Sequence, residues 1–266
     1  MAGVPDNAVT SAGATGPAGP TPGGRVARNR QRRTEEFLRA GLRNVTEEGF
    51  EALTMTRLST ALDTAVGAVY NYFPSKGHLV TAIQAGAVER LTTSYDASVE
   101  PVVEAAVAAS GEAPELVRLV AAGRWFCAAA DELPEEVRLL QMVNARRHSA
   151  LSDGGGDALL PPSMALLERI AVAVEAAQDA GALRPGPALA RTITWAAALG
   201  GTLAVDDLGR YLPEVAGGGR LARRLNADLC VGWGAAPDAV ERVDRAIDEV
   251  ARSTPLARRD GPPAVG

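Results

Sequence analysis

Aromatic side chains make up only 4% of this 266-residue chain, while alanine and leucine dominate an apolar share of 47%. Strands select β-branched and aromatic residues, so this shortage argues against sheets and for helices. No alternating apolar pattern longer than four residues runs through the chain. The two cysteines, Cys127 and Cys230, lack any metal-type spacing and sit in apolar helical contexts, as reduced buried thiols do. His78 and His148 are the only histidines, and neither stands beside a cysteine or a carboxylate cluster, so no metal site is expected. There is no glycine loop after a strand, no paired metal ligand set and no Ser/Cys–His pairing, which argues against an enzyme or a cofactor. The N-terminus has no basic stretch followed by an apolar run. The longest uncharged helical run, Thr192 to Val205, is fourteen residues, too short for a bilayer. A cytoplasmic protein is expected.

Acidic residues outnumber basic ones overall, giving a net charge of −5, which taken alone argues against nucleic acid. The distribution argues the other way. Between Arg25 and Val80 there are nine basic and six acidic residues, whereas beyond Val80 there are 18 basic and 25 acidic. Five arginines, Arg25, Arg28, Arg30, Arg32 and Arg33, fall within nine residues, and Lys76 is the only lysine in the chain. A basic head on an acidic body places phosphate contact in the head. Residues 1–24 are rich in Gly, Ala, Pro, Thr and Ser and read as disordered, and residues 254–266 read as a flexible tail.

A first helix is expected from about Arg30 to Glu48, with Leu38, Gly41, Leu42 and Val45 on one buried face and Gly49 closing it. Thr54 offers an N-cap to a short second helix, Met55 to Leu62, and a third follows from Ala65 to Tyr72. Helix, tight turn and short helix make a helix-turn-helix layout. The segment TAVGAVYNYFPSK, Thr64 to Lys76, then supplies small residues, two phenols, an amide and a cation within two turns, while Ser75 caps the next helix. Phe73 reads as core. Tyr70, Tyr72 and Lys76 suit phosphates, and Arg57 reads equally as a solvated charge or a DNA contact. The arginine cluster reads as a solvated tail or as an arm tracking phosphates or a minor groove. The expected reading face, Ala65, Val66, Ala68 and Val69, can touch a thymine methyl but cannot form bidentate hydrogen bonds to a base.

Taken together, Glu48-Gly49-Phe50, Leu53-Thr54-Met55 and Gly67-x-x-Tyr70-x-Tyr72-Phe73-Pro74-Ser75-Lys76 resemble the tetracycline-repressor (TetR) family over roughly residues 30–80. The resemblance implies an all-α homodimer: a three-helix DNA-binding domain at 25–80 that binds a palindromic operator, and a ligand-binding and dimerisation bundle at 81–253. The candidate DNA-contacting set is Thr54, Arg57, Thr64, Ala65, Val66, Gly67, Ala68, Tyr70, Asn71, Tyr72 and Lys76. Where many relatives carry Ala-Gly-Val-Ser, this chain has Leu62-Asp63-Thr64-Ala65, so Asp63 must take the left-handed turn. Capping of the third helix then falls to Thr64 or Asp63.

Everything beyond Ser75 reads as helical, in segments from Ser75 to about Asp96, Pro114 to Ala130, Pro134 to Arg147, Pro162 to Ala180, Pro187 to Leu208, Arg220 to Trp233 and Asp238 to Arg252. Arg124, Trp125, Phe126, Met142, Asn144 and Trp195 are candidates to line a small-molecule pocket, each against a plain core or surface role. Few aromatics argue against a large stacking cavity for flat cations. The small-residue run after Trp195, with the helix at 220–233, is the expected dimer bundle alongside 187–208. The leading expectation is a repressor released from double-stranded operator DNA by an unknown effector. An activator of the same fold, or a helical adaptor that has lost specific DNA binding, stays open.

Overall fold

The computed structural model describes residues 22–150, 160–205, 209–212, 214, 217 and 219–258, with side chains described in 25–142 and from 164 onward within those ranges. Among them are ten helices and no strand: α1 Pro22–Glu48, α2 Met55–Ala61, α3 Val66–Tyr70, α4 Lys76–Ser110, α5 Pro114–Glu132, α6 Pro134–Ala150, α7 Leu160–Asp179, α8 Ala188–Ala204, α9 Arg220–Gly232 and α10 Pro237–Val250. The all-α reading is correct. Asn144 lies on α6, but its side chain falls outside the described residues.

Two differences from the expected helices matter. α1 begins at Pro22 rather than near Arg30, so the arginine cluster is helical and not a loose tail. Within it Arg30, Arg33 and Phe37 follow at i, i+3 and i+7, and the Arg33 guanidinium lies 5.1 Å over the Phe37 ring. α4 does not stop near Asp96 but runs 35 residues through Pro101 to Ser110, where Gly111 closes it in a left-handed conformation. A proline inside a helix removes one hydrogen bond and costs about 3 kcal/mol or more. Burial of Val99, Val102, Val103 and Ala106 on either side of it offsets that cost.

The interior divides in two. A smaller core gathers Phe37, Leu42 and Val45 of α1, Leu58 of α2, Val69 of α3 and Leu79 and Ile83 of α4. A larger core runs from Leu91 of α4 through α5, α7, α8 and α9 to Val243 and Ile247 of α10. α6 belongs to both: Leu139 is buried in the smaller core and Val137 in the larger. Within the segment expected to be a flexible tail from Thr254, the described residues reach Arg258 and are packed. Ala257 is 5% exposed, and the Arg258 backbone N–H donates to Ser94 Oγ at 3.1 Å.

One ion-pair group ties α5 to α9 and α10. The Arg124 guanidinium, 6% exposed as a residue, donates to Asp244 at 2.7 Å and Asp248 at 2.6 Å, and Arg223 donates to the same two carboxylates. Partial burial pushes the Asp248 carboxyl up, but the hydrogen bonds from Arg124 and Arg223 outweigh it and hold it below its usual value. A depressed folded-state pKa stabilises above the unfolded carboxyl pKa, about 3.9, and that contribution is lost as pH falls through the folded value. Urea unfolding measured from pH 7 to pH 3 should therefore show an acid-sensitive limb below about pH 4. Asp248→Asn should flatten it and cost about 1 kcal/mol at pH 7, solvent screening limiting the figure. An unchanged acid limb in Asp248→Asn would assign the acid sensitivity to other carboxylates.

Candidate nucleic-acid interface and enclosed cavity

The helix-turn-helix is set by local hydrogen bonds. Thr54 Oγ1 accepts from the Arg57 backbone N–H at 3.1 Å and starts α2, as the sequence requires. Asp63 then turns the chain with φ +47°, the only non-glycine residue of positive φ among the described residues, and the Thr64 N–H donates to the Ser59 carbonyl oxygen at 2.9 Å. Short polar side chains tolerate this left-handed conformation better than others. The expected hydroxyl or carboxylate cap on α3 does not form. Ala65 is the cap residue and has no side-chain bond to offer, so only its carbonyl serves the helix, accepting from Ala68 N–H at 2.9 Å. α3 is correspondingly short, five residues rather than the eight expected from Ala65 to Tyr72.

The expected reading face is corrected at Val69, which is fully buried in the smaller core instead of facing outward. Ala65, Gly67, Tyr70 and Asn71 are exposed, while Thr64, Val66 and Ala68 are half-buried. Phe73 is core, 5% exposed, and packs edge-on against Phe37 at 6.1 Å between ring centroids. Tyr72 leans on Phe37 at 5.2 Å, with the Arg30 guanidinium 5.1 Å over its ring. The same guanidinium donates to the Asn71 carbonyl at 3.4 Å. Arg30 thus packs against Tyr72 and Asn71 of the candidate surface, a contact across 41 residues that its place in the arginine cluster does not reveal.

Cations border this surface on three sides. Arg57 pairs with the Glu48 carboxylate at the end of α1, both half-exposed, so a phosphate would compete with Glu48 for it. Lys76 is exposed at the start of α4, with Nζ 3.5 Å from the Glu51 carbonyl, and Ser75 Oγ caps that helix by accepting from His78 N–H at 3.3 Å. Arg25, Arg28, Arg30 and Arg32 are exposed along the first turns of α1, with no acidic residue of that helix before Glu35. Amide, phenol, guanidinium and ammonium groups on one short stretch suit a polyanion flanking a groove.

Beside the larger core lies a partly open cavity of about 130 Å³ between α4, α5, α6, α7 and α8. Trp125, Phe126 and Trp195 line it together with Val88, Leu140, Gln141, Leu166, Ile170 and Gly200. Of the expected lining residues Trp125, Phe126 and Trp195 stand there, but Arg124 and Met142 do not. Arg124 is held by Asp244 and Asp248, and Met142 packs against the smaller core. Gln141 carries no signal in the sequence, because its place depends on how α6 meets α8. Between α1, α4 and the C-terminal segment lies a larger cleft of about 510 Å³, lined by polar groups including Gln31, Glu35, Arg39, Glu89 and Arg258. The cysteines stand outside both. Burial pushes Cys127 up to about 11 and Cys230 up to about 12, so both are protonated and unreactive at neutral pH. Among the described residues no group of three or more His, Cys, Asp or Glu could hold a metal ion, and no helix is long and apolar enough to cross a membrane.

Geometry and fold define an all-helical protein with an N-terminal helix-turn-helix head on a helical bundle. Comparison with known proteins points the same way: residues 37–83 match the model for bacterial regulatory proteins of the tetR family. It is 36% identical over 64 residues to the HTH-type transcriptional repressor KstR of Mycolicibacterium smegmatis, a match covering 24% of this chain and 31% of that protein, less than a third of its length. The fold is that of a TetR-family protein from Rhodococcus sp., with TM-score 0.55, 18% identity, and 77% of this chain and 100% of that one covered. A bacterial regulatory protein in the tetR family from Rhodococcus RHA1 gives TM-score 0.53 at 18% identity, over 76% of this chain and 97% of that one.

Lys76→Ala is expected to weaken binding to every duplex alike and to lower the salt slope of log affinity by about 1 per protomer, read by fluorescence anisotropy between 50 and 200 mM salt, roughly the range where phosphate contacts dominate. An unchanged slope would remove Lys76 from the phosphate contacts.

Proposed function

We propose that this protein is a transcriptional repressor that binds operator DNA as a homodimer and lets go of it when a small molecule occupies the bundle cavity. The helix-turn-helix head carries the DNA part of this reading, and repression is suggested by the relative named a transcriptional repressor. α3, with Tyr70, Asn71, Arg57 and Lys76 around it, enters the major groove, and the phenols and cations seat it on the flanking phosphates. A two-fold dimer then requires a palindrome with half-site centres about 34–36 Å apart or a multiple of that.

The observation that carries ligand response is the double membership of α6. Val137, Leu140 and Gln141 line the cavity, while Leu139, 1% exposed, is buried in the DNA-binding head. A molecule that displaces the cavity face of α6 also shifts the residue packed under the head. Arg90 of α4 and Glu136 of α6 are paired at 2.7 Å and fasten the two helices that belong to both cores. A coupling of about 1–3 kcal/mol lowers operator affinity roughly 5–150-fold.

For the dimer, the apolar side chains left exposed favour α8 and α7. Leu189 and Ile193 of α8 are both 53% exposed one turn apart, and Met164 and Val172 of α7 are 44% and 57% exposed. The expected second helix, α9, presents Arg220, Arg224 and Asp228 outward and buries Ala222, Asn226 and Cys230. The exposed apolar side chains of α7 support α7 beside α8 in the proposed interface, ahead of the expected α9.

Selection from a random duplex pool, followed by footprinting, tests the reading. A palindromic consensus is expected; salt-sensitive, sequence-blind retention would favour the adaptor alternative. The double substitution Leu189→Arg with Ile193→Arg should elute at the monomer mass and bind the selected site at least about 100-fold more weakly, as loss of bivalence requires. A dimer that survives it would place the interface elsewhere.

A further inference from the structure

The cavity's walls restrict what it takes, and this inference rests on the cavity being the effector site. Among the described lining residues none is charged, and three are aromatic. Both indole N–H groups are already engaged on the far side of the wall. Trp125 Nε1 donates to Ser94 Oγ at 3.3 Å, and Trp195 Nε1 donates to Asn226 Oδ1 at 2.8 Å. Asn226 is itself 1% exposed and donates through Nδ2 to the Val120 carbonyl at 3.3 Å, so it is not free to release its indole. The remaining polar side chain on the wall is Gln141. Its Nε2 donates one hydrogen to the Gly200 carbonyl at 3.2 Å, and this fixes the amide, leaving Oε1 as an acceptor and the second Nε2 hydrogen as a donor.

We infer that the effector is a small uncharged aromatic or alicyclic molecule of roughly benzene to alkylphenol size, carrying at most one hydroxyl, which donates to Gln141 Oε1. The size follows from the volume: 130 Å³ is close to the roughly 150 Å³ of an engineered apolar cavity that stays dry and binds benzene. Neutrality follows from the described walls, since a carboxylate or ammonium group would lose hydration there and meet no opposite charge among the described lining residues. The three aromatic rings favour a ring over a flexible chain. Trp195 and Phe126 already stand edge to face, 6.0 Å between centroids, leaving their other surfaces for a third ring.

Toluene, phenol, benzoate and benzylammonium, titrated into the full-length protein, separate the possibilities, with tryptophan fluorescence as the readout because Trp125 and Trp195 line the cavity. Toluene and phenol are expected to change the emission saturably, and the two ions to bind at least about 100-fold more weakly. Phenol should lose its advantage over toluene in Gln141→Leu. Filling the cavity by Gly200→Leu, where a Cβ meets nothing within 4 Å, or by Ala196→Leu, should abolish the response in at least one variant whose thermal unfolding stays cooperative. Tighter binding of either ion, no saturable response to toluene or phenol, or a response unchanged in both filled variants overturns the inference. A gel shift on the selected duplex with the same preparation keeps the two readings apart. Specific DNA binding without probe binding refutes only the effector class; probe binding without specific DNA binding refutes only the repressor reading.

Discussion

Ile83 and Leu91 lie on one face of α4, eight residues and about 12 Å apart along its axis, yet they are buried in different cores. A continuous hydrogen-bonded helix cannot stretch between them, so the head and the bundle are held in one register by α4. α6 repeats the arrangement at shorter range, with Leu139 in one core and its neighbours Val137 and Leu140 facing the other. Where two helices are each shared in this way, a change at one core is not absorbed at a hinge. The Arg90–Glu136 pair tightens the link, because Glu136 is 8% exposed and its carboxylate depends on that guanidinium for compensation. The rest of the molecule can vary around this frame, and α3 is placed by it.

The same frame explains why the cavity is apolar. Its tryptophans are oriented from behind: Ser94, which fixes Trp125, also accepts from the Arg258 backbone, and Asn226, which fixes Trp195, also reaches α5. Asn226 has room only because residue 123 is glycine. A Cβ there would overlap the Asn226 amide, so the small residue on α5 and the buried amide on α9 are a matched pair. The polar partners of the two indoles thus stand behind the cavity wall, and apart from Gln141, which donates to Gly200, the described side chains of the wall are aromatic and aliphatic. A buried polar network that holds rings in place is compatible with a dry interior, whereas the same groups turned inward would select water or a polar ligand.

The local parts of this design are readable from residues. Thr54 and Ser75 are caps because a hydroxyl before a helical run has few other uses, and Gly49 and Gly111 close helices at φ +88° and +70°. Asp63 is readable as the left-handed turn because the chain must reverse there and a short polar side chain tolerates it. What stays hidden depends on contacts distant in sequence. Arg124 reads as a pocket candidate only while Asp244 and Asp248, more than a hundred residues later, are out of view. Val69 reads as a reading-face residue only while the smaller core, where it is buried with Phe37 and Leu58, is out of view. The start of α1 is masked because Gly and Pro near residue 22 read as breakers, although proline is well suited to a first helical turn.

Burial of Val69 narrows the chemistry available to the head. If α3 enters a major groove, the side chains it can present are Ala65, Ala68, Tyr70 and Asn71, with Thr64 at its edge. Of these only Asn71 carries the paired donor and acceptor that a single base edge can satisfy twice, and adenine is the base whose N6 and N7 fit it. Its backbone carbonyl is already held by Arg30, a residue of α1, so the amide's position depends on the helix that carries the arginine cluster. If the proposed docking holds, phosphate seating and base reading would be mechanically joined at Asn71. In that docking, an arginine drawn toward the DNA backbone would move the one side chain best able to discriminate, which would give indirect readout of duplex shape a share of the specificity.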